Sequence, residues 1–313
     1  MNGLELSRRF FEDCGRPMLE AEFPDLLPFL AAGLFGSGSE CFGYADEISR
    51  DHDFEPGFCL FLPEEAVVDR RQEFLLERAY AKLPKRFLGF DRAVMLPVGG
   101  ARHGVLRTEE FFRKGVGAAN GALSLQQWLT APEQALAEAT NGALFFDNWG
   151  EVRRIREALA FYPEDIRLKK LAGRLLLMAQ SGQYNYSRCL AHGESGAAQL
   201  AAAEFVHHAM GAAFLLNRRY MPYYKWRFRA LRELPRLTEL AEPLEALIST
   251  GNGAAAAREK TVQIEAVTAA VLALAREQGL TELDSGDAEK QAYAVNARIR
   301  DGGLRNLHIL AAV

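Results

Sequence analysis

No apolar run in this chain is long and unbroken enough to cross a bilayer. The longest, Ala197 to Leu216, is interrupted by Gln199, Glu204, His207 and His208 and reads as a buried helix. Cysteine is scarce: Cys14, Cys41, Cys59 and Cys189 stand far apart in 313 residues, without the paired spacing of a zinc ribbon or a disulfide scaffold. The opening Met1-Asn2-Gly3-Leu4-Glu5 lacks the charged and apolar regions of a secretion signal, so a reducing cytoplasm is the expected compartment and no membrane partner is expected. A formal net charge of -4 gives no general attraction to polyanions, and long nucleic acid is not an expected partner. There is no repeat at solenoid periods and no low-complexity tract.

What is present is ordinary in bulk and unusual in one place. Hydrophobic residues make up 49% and charged residues 25%, as in soluble globular chains, and the length allows two cores. From Leu4 to about Gly117 short apolar runs alternate with helical stretches. Leu26 to Phe35 reads as a helix end and a first strand, Phe58 to Leu62 as a strand, and Glu64 to Leu83 as a helix; Ala93 to Pro97 and His103 to Thr108 read as short strands. Beyond Leu123 the pattern is mostly helical, with breaks at Tyr162-Pro163, Tyr220-Met221-Pro222 and Gly251-Asn252-Gly253; Ala143 to Phe146 is a strand or an extended linker. The expected architecture is α+β: a small mixed-sheet domain over residues 1–122 followed by a helical bundle over 123–313.

The unusual place is Phe35-Gly36-Ser37-Gly38-Ser39, followed after a polar loop by Arg50-Asp51-His52-Asp53-Phe54. In a strand, alternate side chains share a face, so Asp51 and Asp53 project together while His52 points away. Two carboxylates on one face suit a divalent cation, and magnesium characteristically binds through one or two carboxylates plus substrate phosphates. Gly38 permits close backbone approach to an anion and Ser39 adds a hydroxyl donor. Asp46 and Glu47, in the intervening loop, read as solvated acids, and His52 as a packed histidine.

Gly38-Ser39, eleven residues, then Asp51-His52-Asp53 resembles the signature of the DNA polymerase beta-like nucleotidyltransferases. A compact sheet followed by a helical bundle is similar to the kanamycin nucleotidyltransferase-like branch, in which the bundle closes one side of the nucleotide cleft. The segments Gln180 to Cys189 and Leu216 to Trp226 resemble an uncharacterised bacterial domain family found with such motifs. The resemblance implies a nucleoside triphosphate substrate, release of pyrophosphate, magnesium on Asp51 and Asp53, and β- and γ-phosphates held by Gly38 and Ser39. It implies AMP as the transferred group and leaves the acceptor open. Two magnesium ions require a third carboxylate on a later strand, and Arg102 to Thr108 carries none; Glu109 is the nearest substitute and Glu110 the next, though both also suit the start of a helix.

Tyr223, Tyr224 and Trp226 surround Lys225 after a proline break, so Tyr224 and Lys225 are candidates for stacking on a base and pairing with phosphate; core aromatics with a snorkelling lysine are the alternative. Gln183, Tyr184, Asn185 and Arg188 read as ligand contacts or helix-end packing. Loss of the third acid would leave a nucleotide-binding regulatory protein without transfer. A phosphohydrolase is disfavoured because no histidine precedes His52, and a further alternative is a helical interaction scaffold in which the amino-terminal unit is decorative.

Overall fold

The computed structural model describes residues 1–45, 55–92 and 103–313. Among these the strands are β1 (Ala31–Leu34), β2 (Cys59–Leu62), β3 (Arg86–Phe87), β4 (Phe90–Asp91), β5 (Gly104–Arg107) and β6 (Ala143–Asp147). The helices of the first 160 residues are α1 (Gly3–Phe10), α2 (Arg16–Glu22), α3 (Arg70–Lys82), α4 (Thr108–Val116), α5 (Leu125–Thr130), α6 (Glu133–Thr140) and α7 (Glu151–Ala158). The expected strand at Ala93 to Pro97 lies outside the described residues, as do Asp46, Glu47, Asp51, His52 and Asp53.

The chain is α+β and divides into two units: Met1–Ser124 with Ala131–Ala160, and Leu125–Thr130 with Phe161–Val313. The boundary expected after residue 122 therefore moves. Residues 131–160 belong with the first unit because β6 completes its sheet, whose strand order is β5-β2-β1-β6. β1 runs antiparallel to β2 and β6, and β2 runs parallel to β5, so the sheet is mixed.

The two central strands, Ala-Ala-Gly-Leu and Cys-Leu-Phe-Leu, show no polar alternation because both faces of the sheet are covered. On one face Leu60 and Leu62 join Phe10, Phe11, Leu76 and Tyr80 in a buried cluster. On the other, Phe61 stacks on Phe35 at 4.7 Å and meets Phe111 of α4 edge-on at 5.3 Å. Tyr80 donates its hydroxyl to the Phe58 carbonyl and accepts from the Phe58 amide, tying α3 to the start of β2. The helix expected from Glu64 begins at Arg70, because Asp69 caps it in a reciprocal box with Gln72.

The second unit is a bundle around α8 (Glu164–Met178), α9 (Ser187–Ala191), α10 (Ser195–Leu216), α11 (Arg227–Arg232), α12 (Ala241–Ser249), α13 (Ala254–Glu277), α14 (Ala288–Ala297) and α15 (Gly302–Asn306). Asp287 caps α14 through the amides of Glu289 and Lys290. Lysines serve as buried ties. Lys169 donates to Asn296 Oδ1 and the Leu307 carbonyl, Lys170 to the carbonyls of Leu129 and Ala312, and Lys260 to Gln199, Asn252 and the Thr250 carbonyl. Lys170 thereby links α5 to the end of the chain.

Burial, reinforced by Arg174, pushes the imidazoles of His207 and His208 down to about 4 and about 3. In the unfolded chain both bind protons near the ordinary value of about 6.5, so the unfolded state holds more protons between that pH and the folded values. Stability contributed by the neutral pair is thus complete above pH ~6.5 and lost as pH falls toward ~4. Urea midpoints measured from pH 7 to pH 5 are expected to decline, and His207→Gln with His208→Gln is expected to flatten that decline.

Candidate functional site

The loop leaving β1 is positioned by the sheet. Gly33 pairs with Cys59 and Leu34 with Ala143, so the chain emerges beside the starts of β2 and β6. β5 starts at the same end, Gly104 pairing with Cys59. The described residues leading into β2 and β5 meet there too: His103 Nδ1 lies 3.2 Å from a Glu55 carboxylate oxygen.

Three contacts fix the base of the loop. Asn141 accepts from the Gly36 amide through Oδ1 and donates to the Gly36 carbonyl through Nδ2, both at 2.9 Å. Phe35 is pinned between Phe61 and Phe111. Beneath it Arg156 of α7 lies 4.3 Å from the Phe35 ring centroid and donates to the carbonyls of Thr140 and Asn141 at 3.0 and 2.7 Å. Arg156 Nη1 is buried with no hydrogen-bond partner, and burial brings the guanidinium down to about 10, opposed by the Cys41 thiol. Asn141→Ala strands the buried Gly36 amide and carbonyl, and is expected to destabilise the first unit by about 1–3 kcal/mol in urea denaturation.

Above this base the loop turns tightly. The Tyr44 amide donates to the Ser39 carbonyl at 2.8 Å and the Gly43 amide to the Glu40 carbonyl at 3.1 Å. Gly38 adopts φ +122°, a backbone conformation that side chains with a Cβ rarely take, and its backbone lies against the Glu40 carboxylate. Ser39 is 3% exposed and its hydroxyl has no hydrogen-bond partner among the described residues. Glu40 is 2% exposed, and burial, with a smaller contribution from the Glu40 charge, pushes the Cys59 thiol up to about 12. Serine hydroxyl, glycine backbone and buried guanidinium favour an anion, whereas the Glu40 carboxylate repels a bare one. Among the described residues no cluster of three or more His, Cys, Asp or Glu side chains converges on a metal-sized site.

Glu109, expected as the third carboxylate, is at the wrong end of the sheet. It follows Arg107, which pairs with Leu62, whereas the loop lies by Cys59; three strand steps amount to roughly 10 Å. Glu109 is exposed and ion-paired with Arg113, in the first turn of α4 where its charge suits the helix dipole. Glu110 shares that turn.

Lys225 and Tyr224 belong to the second unit. They are exposed, Tyr224 at 66%, in a short 3-10 turn, so they are not core residues. Lys225 Nζ lies 4.9 Å from the Trp226 ring and Tyr224 packs on Tyr223 at 4.2 Å. Gln183 is structural: it donates to Glu265 and the Gly286 carbonyl and accepts from the Ala288 amide at the start of α14. Arg188 is bonded to Tyr184 one turn away.

Glu40, Asn141 and Arg156 escape a reading of the sequence, because Asn141 and Arg156 stand more than a hundred residues from the loop they support. The sequence signals were weak ones: a lone Asn-Gly at 141–142 and an arginine one position past the buried Ile155 on α7. A family model described as Domain of unknown function (DUF4037) matches residues 128–227, from within α5 to the first residue of α11. No curated protein and no solved structure matches the chain.

Proposed function

We propose that the protein is a magnesium-dependent nucleotidyltransferase that moves AMP from a nucleoside triphosphate to a small-molecule or protein acceptor. An acceptor oxygen or nitrogen attacks the α-phosphorus, the bond to the bridging oxygen breaks, pyrophosphate leaves, and the acceptor's proton passes to solvent or a base. The observation that carries the reading is the turn after β1: a buried Ser39 hydroxyl, unpartnered among the described residues, and Gly38 next to Glu40, with the Arg156 charge beneath. Gly38 and Ser39 would hold the terminal phosphates, and rigid positioning by Asn141 and Phe35 would hold the turn in its binding geometry. Asp51 and Asp53 would bind the magnesium, which supplies neutralisation of charge on the phosphate oxygens. The cytoplasm is the compartment this reading assigns to the reaction, and among the described residues no helix is long and apolar enough to cross a membrane.

The position of Glu109 favours a second reading, a nucleotide-binding regulatory protein that does not transfer. Both are tested by incubating the full chain with magnesium and ATP labelled at the α-phosphate, across a panel of hydroxyl and amine acceptors. Pyrophosphate release with label on an acceptor supports transfer. Saturable binding without release supports the regulatory reading, and absence of magnesium-dependent binding removes both.

A further inference from the structure

A histidine at the loop end of the first unit's sheet has one ring nitrogen oriented and the other unused. His103 immediately precedes β5, and the amide of the next residue, Gly104, donates to the Phe58 carbonyl at 2.9 Å. Gly33 and Gly104 both pair with Cys59, from opposite sides of β2, so Leu34 and His103 stand level with each other beside Phe58. Two strand spacings, roughly 10 Å, separate His103 from the residue that leads into the glycine-serine turn. Glu109 lies beyond the opposite end of β5.

The ring is held through Nδ1, which lies 3.2 Å from Glu55 Oε1. A Cβ on Gly57 would lie 2.5 Å from Nδ1 and 2.7 Å from Cγ, so the imidazole rests against the Gly57 backbone. Ser7 of α1 donates its buried hydroxyl to the Gly57 carbonyl at 2.5 Å and keeps that backbone in place. The His103 side chain is 10% exposed, and Nε2 is buried with no hydrogen-bond partner among the described residues. A carboxylate only accepts, so the neutral imidazole carries its proton on Nδ1, toward Glu55, and presents a lone pair at Nε2.

We infer that His103 is the general base of the transfer reaction. Nε2 takes the proton of the acceptor as its oxygen or nitrogen bonds to the α-phosphorus; the bond to the bridging oxygen breaks, its electron pair leaves with pyrophosphate, and the imidazolium then gives the proton to solvent. Glu55 is a positioning residue that fixes the tautomer and offsets the charge of the imidazolium. This role rests on the proposed nucleotidyl transfer and deepens it, since it supplies at the loop end of the sheet a base that Glu109 is not placed to be. An acceptor that must shed a proton needs such a group and a carboxylate does not, so the acceptor class is a hydroxyl or an amine.

The test compares the full native chain with His103→Gln, using magnesium, ATP labelled at the α-phosphate, and a panel of hydroxyl and amine acceptors to which acetate is added as a carboxylate. General bases contribute 10²–10⁴ in rate, so His103→Gln is expected to lower pyrophosphate release about a hundredfold or more while ATP affinity is unchanged. Gly57→Ala, which pushes the ring from its seat, is expected to lower release in the same way. Added imidazole is expected to restore part of the release in His103→Ala, a response that a merely structural histidine does not give. Circular dichroism checks that the variants fold. Release at the native rate in His103→Gln, a loss matched by an equal loss of ATP affinity and not rescued by imidazole, or label on acetate alone overturns the base and leaves the transfer reading standing. A native chain that binds ATP with magnesium yet labels no acceptor removes the transfer reading and the base with it.

Discussion

Replacing Asp51 and Asp53 together by Asn is expected to lower magnesium-dependent pyrophosphate release by about a thousand-fold or more, since loss of even one charge-stabilising group in a preorganised site costs 10²–10³. The substitution preserves shape and removes two negative charges, so it isolates the electrostatics of metal binding. Without the metal charge, nothing supplied by the two positions neutralises the triphosphate. Nucleotide binding should therefore fall along with turnover. A kinetic assay with a melting-temperature control separates this from unfolding. A double variant that releases pyrophosphate at the native rate would mean that other acids hold the metal, and the nucleotidyltransferase reading would have to be given up.

The parts of the fold legible in the sequence are those where burial follows chain-local pattern. Phe58 to Leu62 reads as a strand, and β2 spans Cys59–Leu62; α13 begins at Ala254, directly after the expected break at Gly251-Asn252-Gly253. Leu26 to Phe35 resolves into a 3-10 turn and β1. What pattern cannot supply is pairing across sequence. Ala143 to Phe146 was ambiguous because its partner, β1, lies more than a hundred residues earlier, and without that pairing a short half-buried run has no distinguishing period. Lys169, Lys170 and Lys260 are each at least nine-tenths buried because carbonyl and amide oxygens from distant segments converge on the ammonium, which no local pattern announces. The same limit applies at the site. The glycine-serine turn is visible as a motif, whereas the Asn141 clamp and the Arg156 charge exist only once β6 and α7 have folded beneath it.

Arg107→Met is expected to produce the largest loss of stability, about 3–5 kcal/mol, the range for breaking one partner out of a buried ion pair. Arg107 is the last residue of β5 and is 7% exposed. Its Nη2 donates to Glu73 at 2.6 Å, and its Nη1 to the carbonyls of Pro63 and Val68 at 2.8 and 2.7 Å. Methionine fills much of the volume but leaves both carbonyls without those donors and Glu73, whose side chain is 15% exposed, with the distant Arg70 at 3.7 Å. That second pair is worth little because Arg70 is 65% exposed and screened by water. Two compact units allow separate unfolding transitions, so the loss should appear in the transition of the first unit, followed by Trp149, with the helical unit unchanged. Adding Glu73→Leu to Arg107→Met removes the stranded carboxylate and should recover part of the loss, a coupling that a double-mutant cycle measures directly. A change below about 1 kcal/mol would show that water replaces the guanidinium at little cost, and that β5 is held to α3 by apolar packing alone.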